Sequence, residues 1–223
     1  MTPSAIRYGA MTVLRPLIAI VVVLLLAGVL AQHSLAPAGA QSSDDPLPAT
    51  LISPIAGNWT LLVNTGDAGS PETVMGSLLQ WADSAFVFDA ATARFRSFRA
   101  AQPFLSDLNV IESGQPFWVF VPPDRLDGDI TFWEQDATVR NQSVTLVPGF
   151  NLAAWTGTQG TRISQAVQSL SIRRAFLWDA VTQSFLIWDP GLPPAIQSDF
   201  ELEYGAGLWV DVVGSQSVEW PQP

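Results

Sequence analysis

The 223-residue chain contains no cysteine. That excludes disulfides, cysteine metal sites, thiol nucleophiles and thiol redox chemistry. It contains no lysine either: all ten basic residues are arginine. The single histidine, His33, lies in the N-terminal leader. Beyond residue 40 there is therefore no Ser-His-Asp triad, no histidine general base and no histidine-ligated zinc. No P-loop, no G-x-G-x-x-G after a strand and no H-E-x-x-H occurs. Positive charge is scarce as well. All 20 acidic residues lie at Asp44 or later, against eight arginines beyond residue 40, so residues 41–223 carry a net −12. Such a chain is repelled by phosphate backbones and anionic lipid, which argues against nucleic acid as a partner.

The leader has three parts. Arg7 and Arg15 are basic, Leu17–Ala31 carries no polar side chain, and Ala38-Gly39-Ala40 offers a small-residue cleavage site. This pattern favours a secretory signal peptide over residues 1–40. The rival is a retained anchor, a transmembrane helix over residues 10–31, which would be the chain's only membrane contact. Either reading puts residues 41–223 outside the cytoplasm, in an extracellular or cell-surface location. Residues 41–50 read as a polar, proline-bearing linker.

The remainder says the same thing twice. Ala85–Phe98 returns 90 residues later as Ala175–Trp188, with Ala, Phe, Asp, Ala, Thr and Phe identical among fourteen positions. Two copies are expected, at 51–138 and 143–223. Each would hold about five short strands and one short helix, arranged as a small sandwich or partly open barrel: a mainly β fold. The first strands are expected at 58–63 and 150–155. A helix follows: Val74, Leu78 and Trp81 in one copy, and Ile163, Ala166, Val167 and Leu170 in the other, form apolar stripes at helical spacing. Ser70 is the natural N-cap of the first, with Pro71 next. The repeated block reads as a hairpin whose turns begin at Asp89 and Asp179. A strand around Trp118 or Trp209 and a last short strand around Trp133 or Trp220 complete each copy.

Leu146-Val147-Pro148-Gly149-Phe150-Asn151-Leu152, running on to Trp155-Thr156-Gly157, resembles the opening of G-W-N-L-type repeats of exported bacterial proteins. Those repeats also continue into an aromatic-Asp hairpin and a Gly-x-x-aromatic-Trp strand. Phe150 stands where the repeats have tryptophan, and the first copy, with Gly57-Asn58-Trp59, departs further. The resemblance covers both copies; it implies architecture and export, and no functional residues.

Candidate sites are few. Asp89 and Asp179 are read as structural, each accepting a backbone N–H of its own turn. Their equivalence argues against a division into acid and base. Asp199, Glu201 and Glu203 alternate along one strand face, where cation binding is the functional alternative. Asp124, Asp127 and Asp129 share one loop and are the candidate calcium ligands; no other cofactor is expected. Arg94 and Arg96 flank Phe95 and, with Arg99, form the one basic cluster, a candidate carboxylate site. Tryptophans paired between the copies (Trp118 with Trp209, Trp133 with Trp220) are read as core. The unpaired Trp81 and Trp188 are the candidates for an exposed aromatic platform. The function expected is a non-catalytic exported β-module for cell-surface structure, adhesion or ligand binding, with an envelope glycan or protein as partner. The alternatives are a carboxylate-dependent hydrolase of envelope polysaccharide, which needs two carboxylates across a cleft, and a purely structural spacer.

Overall fold

The protein is described by a computed structural model that covers residues 50–52, 58–122, 133–135, 137–139, 141–193 and 195–223. The leader, nearly all of the linker and the loop with Asp124, Asp127 and Asp129 lie outside the described residues. Among the described residues, no helix is long and apolar enough to cross a membrane.

The first half runs β1 (Thr50–Ile52), β2 (Trp59–Val63), α1 (Pro71–Met75), β3 (Ser84–Asp89), β4 (Arg94–Arg99), β5 (Pro116–Phe120) and β6 (Trp133–Gln135). The second runs β7 (Val144–Leu146), β8 (Gly149–Trp155), β9 (Thr161–Arg162), α2 (Ile163–Ala166), β10 (Ile172–Asp179), β11 (Ser184–Trp188), β12 (Glu201–Leu202), β13 (Ala206–Val212) and β14 (Val218–Trp220). The chain is mainly β, and among the described residues every strand pairing is antiparallel. One four-stranded sheet has the order β2-β5-β3-β4 and the other β8-β13-β10-β11. Two-stranded pairs stand apart: β1 with β6, β7 with β14, and β9 with β12. Among the described residues no sheet closes on itself. The five-stranded sandwich or barrel expected per copy is not seen among the described residues: the first half has an open four-stranded sheet and one separate pair, the second a four-stranded sheet and two. The strands missed in the sequence, β1 and β7, are three residues long, too short for a period-two pattern to register. Thr50, assigned to the linker, begins β1.

The helices are shorter than their stripes. Ser70 Oγ accepts the Thr73 N–H at 3.3 Å and Pro71 opens α1. Gly76, at φ 48°, then breaks the α-helix into a 3₁₀ turn over Gly76–Gln80. The stripe nonetheless keeps its face, with Val74, Leu78 and Trp81 all buried.

Each half has its own core on one face of its sheet. In the first, Val74, Met75 and Leu78 pack on Leu62, Ala85, Val87, Phe98, Phe117 and Val119. In the second, Ile163, Ala166 and Val167 pack on Ala153, Trp155, Ala175, Trp188, Leu208 and Val210. Alternation sends the intervening residues to the opposite face. That second face is aromatic in both sheets.

Candidate functional site

The two aromatic faces meet. In the first sheet the face comprises Trp59, Phe86, Phe88, Phe95, Trp118 and Phe120. In the second it comprises Phe150, Phe176, Trp178, Phe185 and Trp209. Strand registers fix this: Trp118 stands opposite Phe86 and Leu61, and Trp209 opposite Phe176 and Leu152. The rings touch across the sheets in reciprocal fashion. Trp118 meets Trp178 at 5.3 Å between centroids, and its counterpart Trp209 meets Phe88, the counterpart of Trp178, at 4.7 Å. Trp118 also meets Phe185 at 6.5 Å, and Trp209 meets Phe95 at 6.1 Å. The central tryptophan of each sheet thus meets the hairpin of the other. All four contacts are edge-on, the favoured arrangement for ring quadrupoles.

The sheets touch where Gly207 faces the Leu61 side chain: a Cβ at Gly207 would lie 2.7 Å from Leu61 Cδ2. Away from that point the faces part. Trp59, Phe86, Phe95, Trp118, Trp178, Phe185 and Trp209 line a cleft of about 700 Å³. Several rings stay open to solvent, Phe95 at 49% and Trp59 at 40%. The only side-chain polar atoms in this lining are indole N–H groups, and the Trp178 indole already donates to the Trp59 carbonyl at 3.0 Å.

The two halves differ at the cleft's polar edges. Gln183 clasps the outer strand β2: its Nε2 donates to Trp59 O at 3.0 Å, and its Oε1 accepts the Trp59 N–H at 3.1 Å. The first hairpin has Ala93 and Phe88 at the positions of Gln183 and Trp178, so its side chains offer no hydrogen bond to Phe150. Beyond Trp59 and Phe86 a second pocket of about 370 Å³ opens, lined also by Asp83, Ser84, Arg99, Gln102 and Phe120. Its counterpart in the second half is occupied by ion pairs. Arg173 binds Asp211 at 2.9 Å and Arg174 approaches Asp189 at 3.9 Å. Charges are exchanged between the halves: Asp83 corresponds to Arg173, Arg99 to Asp189, and Phe120 to Asp211.

The residues singled out in the sequence are placed as follows. Trp81 and Trp188 are 8% and 9% exposed and belong to the two cores. They are not a platform, and that expectation is corrected. Of the pairs read as core, Trp220 is core, with its Nε1 donating to Ala166 O at 2.8 Å; Trp118 and Trp209 instead build the aromatic cleft. Arg94 and Arg96 share the face opposite Phe95, away from the cleft, while Arg99 falls on the cleft side. The basic cluster is therefore split by strand alternation. The side chain of Arg96 is half-buried, and its Nε has no hydrogen-bond partner among the described residues.

Asp89 Oδ1 accepts the N–H of Ala91 at 3.0 Å and Thr92 at 3.3 Å; Asp179 Oδ1 accepts those of Val181 at 2.9 Å and Thr182 at 3.3 Å. The turns also share a left-handed residue, Ala93 and Gln183, both at φ 52°. The Thr182 hydroxyl and then the Val181 and Thr182 amides hold the Asp179 carboxyl below its ordinary value. Asp199 accepts from the Ser164 N–H and hydroxyl at 3.1 and 3.0 Å, Glu201 pairs with Arg162 at 3.3 Å, and Glu203 accepts from Gln159. These acids serve local structure, and among the described residues no group of acids is placed to hold a metal ion.

The sequence reading missed Gln135 and Gln222, which cap corresponding backbone positions. Gln135 Oε1 accepts the Thr65 N–H at 2.9 Å, and Gln222 Oε1 accepts the Thr156 N–H at 2.6 Å. The signal was there, in Trp133-Glu-Gln135 and Trp220-Pro-Gln222.

Compared with family models, curated proteins and solved structures, the chain matches none.

Proposed function

We propose that residues 41–223 are an exported, non-catalytic binding module made of two copies of one β unit, with the aromatic cleft between their sheets as the ligand site. The cleft carries the reading. It is within the roughly 300–1,000 Å³ range of small-molecule sites, yet its rings are left partly solvated, which a protein's own core does not do. The two sheets share strand order, hairpin turns and capping glutamines, which supports duplication. The hydrolase alternative finds no support here, because the described lining of the cleft and of the pocket beside it holds one carboxylate, Asp83, where that reaction needs two.

The test is a titration of the full chain read on indole emission, with envelope oligosaccharides, aromatic peptides and long-chain lipids as ligands. A saturable shift abolished by Phe95→Ala, which trims an exposed ring without opening either core, supports the module. No shift with any class, together with an unchanged fold, returns the protein to a structural spacer.

A further inference from the structure

Resting on the binding-module reading, we infer that the ligand is a single-chain amphiphile with a carboxylate head, a long-chain fatty acid: its alkyl chain lies in the aromatic cleft and its head against Arg99. The two pockets adjoin across the Trp59 and Phe86 rings, whose centroids lie 5.6 Å apart. Trp59 and Phe86 line both the apolar cleft of about 700 Å³ and the polar pocket of about 370 Å³. They lie on one face of one sheet. Arg99 stands opposite Ser84, two residues along β3 from Phe86, so alternation puts Ser84, Arg99 and Phe86 on the same side.

Three observations select this chemistry. First, a sugar buried in the cleft would bring hydroxyls to a wall whose Trp178 indole is already engaged. Unpaired buried hydroxyls are strongly disfavoured, whereas methylenes need no partner. Second, the guanidinium of Arg99 holds no ion pair among the described residues, whereas at the corresponding place in the second half Arg173 pairs with Asp211 at 2.9 Å and Arg174 lies 3.9 Å from Asp189. The second half fills its polar pocket with two arginines and two aspartates; the first lines its pocket with Asp83 and Arg99 and leaves the Arg99 guanidinium without an ion pair among the described residues. A guanidinium fork matches a carboxylate in bidentate fashion. Third, the chain's net charge of −10 disfavours a head with more than one negative charge.

The experiment is calorimetric titration of the full chain with palmitate, with the uncharged alcohol of equal length, and with a soluble envelope oligosaccharide. Palmitate is expected to bind at one site, and myristate, two methylenes shorter, roughly tenfold more weakly. Arg99→Gln should weaken palmitate about tenfold and leave the alcohol unchanged; a merely structural role for Arg99 would weaken both alike. Binding of the oligosaccharide but neither alkyl compound, lost in Phe95→Ala, would overturn the amphiphile while keeping the module. Equal loss of palmitate and alcohol on Arg99→Gln would overturn the head-group assignment. No binding by any of the three would remove both the amphiphile and the cleft as a ligand site.

Discussion

The two halves have the same strand order but hold their first long strand in different ways. At the end of β8 stands Trp155, fully buried, in ring contact with Trp220 at 5.7 Å. The corresponding residue after β2 is Asn64, equally buried, whose Nδ2 donates to the carbonyls of Asp67, Ile111 and Glu112 at 3.0, 3.2 and 3.0 Å. Its Oδ1 accepts from Gly66 N and Gln135 Nε2. One half fills the position with volume and the other with a saturated amide. The lesson is that one backbone site tolerates opposite chemistries provided that volume is filled in one case and every polar group is paired in the other.

The sharpest way to break this comparison is to truncate both residues. Trp155→Ala should lower stability by about 3–5 kcal/mol in denaturant unfolding, as expected for a large buried ring. Asn64→Ala should cost about 1–3 kcal/mol, because it strands buried carbonyls and an amide rather than opening a large void. Equal losses would mean that the two positions are anchored alike.

The clasp on Trp59 sets a smaller difference between the halves. Converting the second hairpin to the pattern of the first, by Trp178→Phe and Gln183→Ala, should remove about 1 kcal/mol per lost hydrogen bond. It should also abolish slow hydrogen exchange at the Trp59 amide, whose partner is Gln183 Oε1. Retained protection would show that β2 is held by something other than the clasp.

The ion pairs of the second half are weaker still. Arg173 is 59% exposed on its side chain while Asp211 is 5% exposed. Replacing Asp211 with the first half's residue, Asp211→Phe, leaves a guanidinium that water can solvate. The expected change is within about 1 kcal/mol in either direction. A loss of several kcal/mol would show that Arg173 is held far more rigidly than its exposure implies.

The smallest effect is in acid. Hydrogen bonds from the Thr182 hydroxyl and the turn amides lower the Asp179 carboxyl from 3.8, and the Thr145 and Ser143 hydroxyls lower Glu219 from 4.5. Both groups release their protons more readily in the folded state. Their contribution is therefore complete above these ordinary values and is lost as pH falls through the lower folded ones. In an NMR titration, Thr182→Val should move Asp179 back toward 3.8 and leave Glu219 unmoved. An unmoved Asp179 would contradict the assigned cause.

The hairpins were legible in the sequence because an aspartate entering a turn acts within three residues of itself. Helix positions were legible through their stripes, while the helix ends were not, since the break at Gly76 depends on a positive φ. The aromatic cleft was not legible. In β3, β5, β10 and β13 both strand faces are largely apolar, so alternation cannot tell which face meets the core and which meets the other sheet. Trp118 sits between Phe117 and Val119, and nothing in that triplet marks Trp118 as the inter-sheet ring. Trp81 and Trp188 drew attention because Leu170 and Phe98 replace them in the other copy. Those exchanges are apolar for apolar and adjust core volume. The charge reversals between Asp83 and Arg173, and between Arg99 and Asp189, stand out when the two repeated stretches are set side by side. Their meaning appears only when the sheets place each group beside the cleft.

Everything argued for the cleft depends on the two sheets facing one another at Leu61 and Gly207. Because the chain has no cysteine, the double substitution Leu61→Cys with Gly207→Cys provides a clean test. Under mild oxidation the account predicts a quantitative intramolecular disulfide in the folded protein, measured as loss of both thiols without dimer formation. Two thiols that stay free in a folded monomer would contradict the facing of the sheets, and the cleft with it.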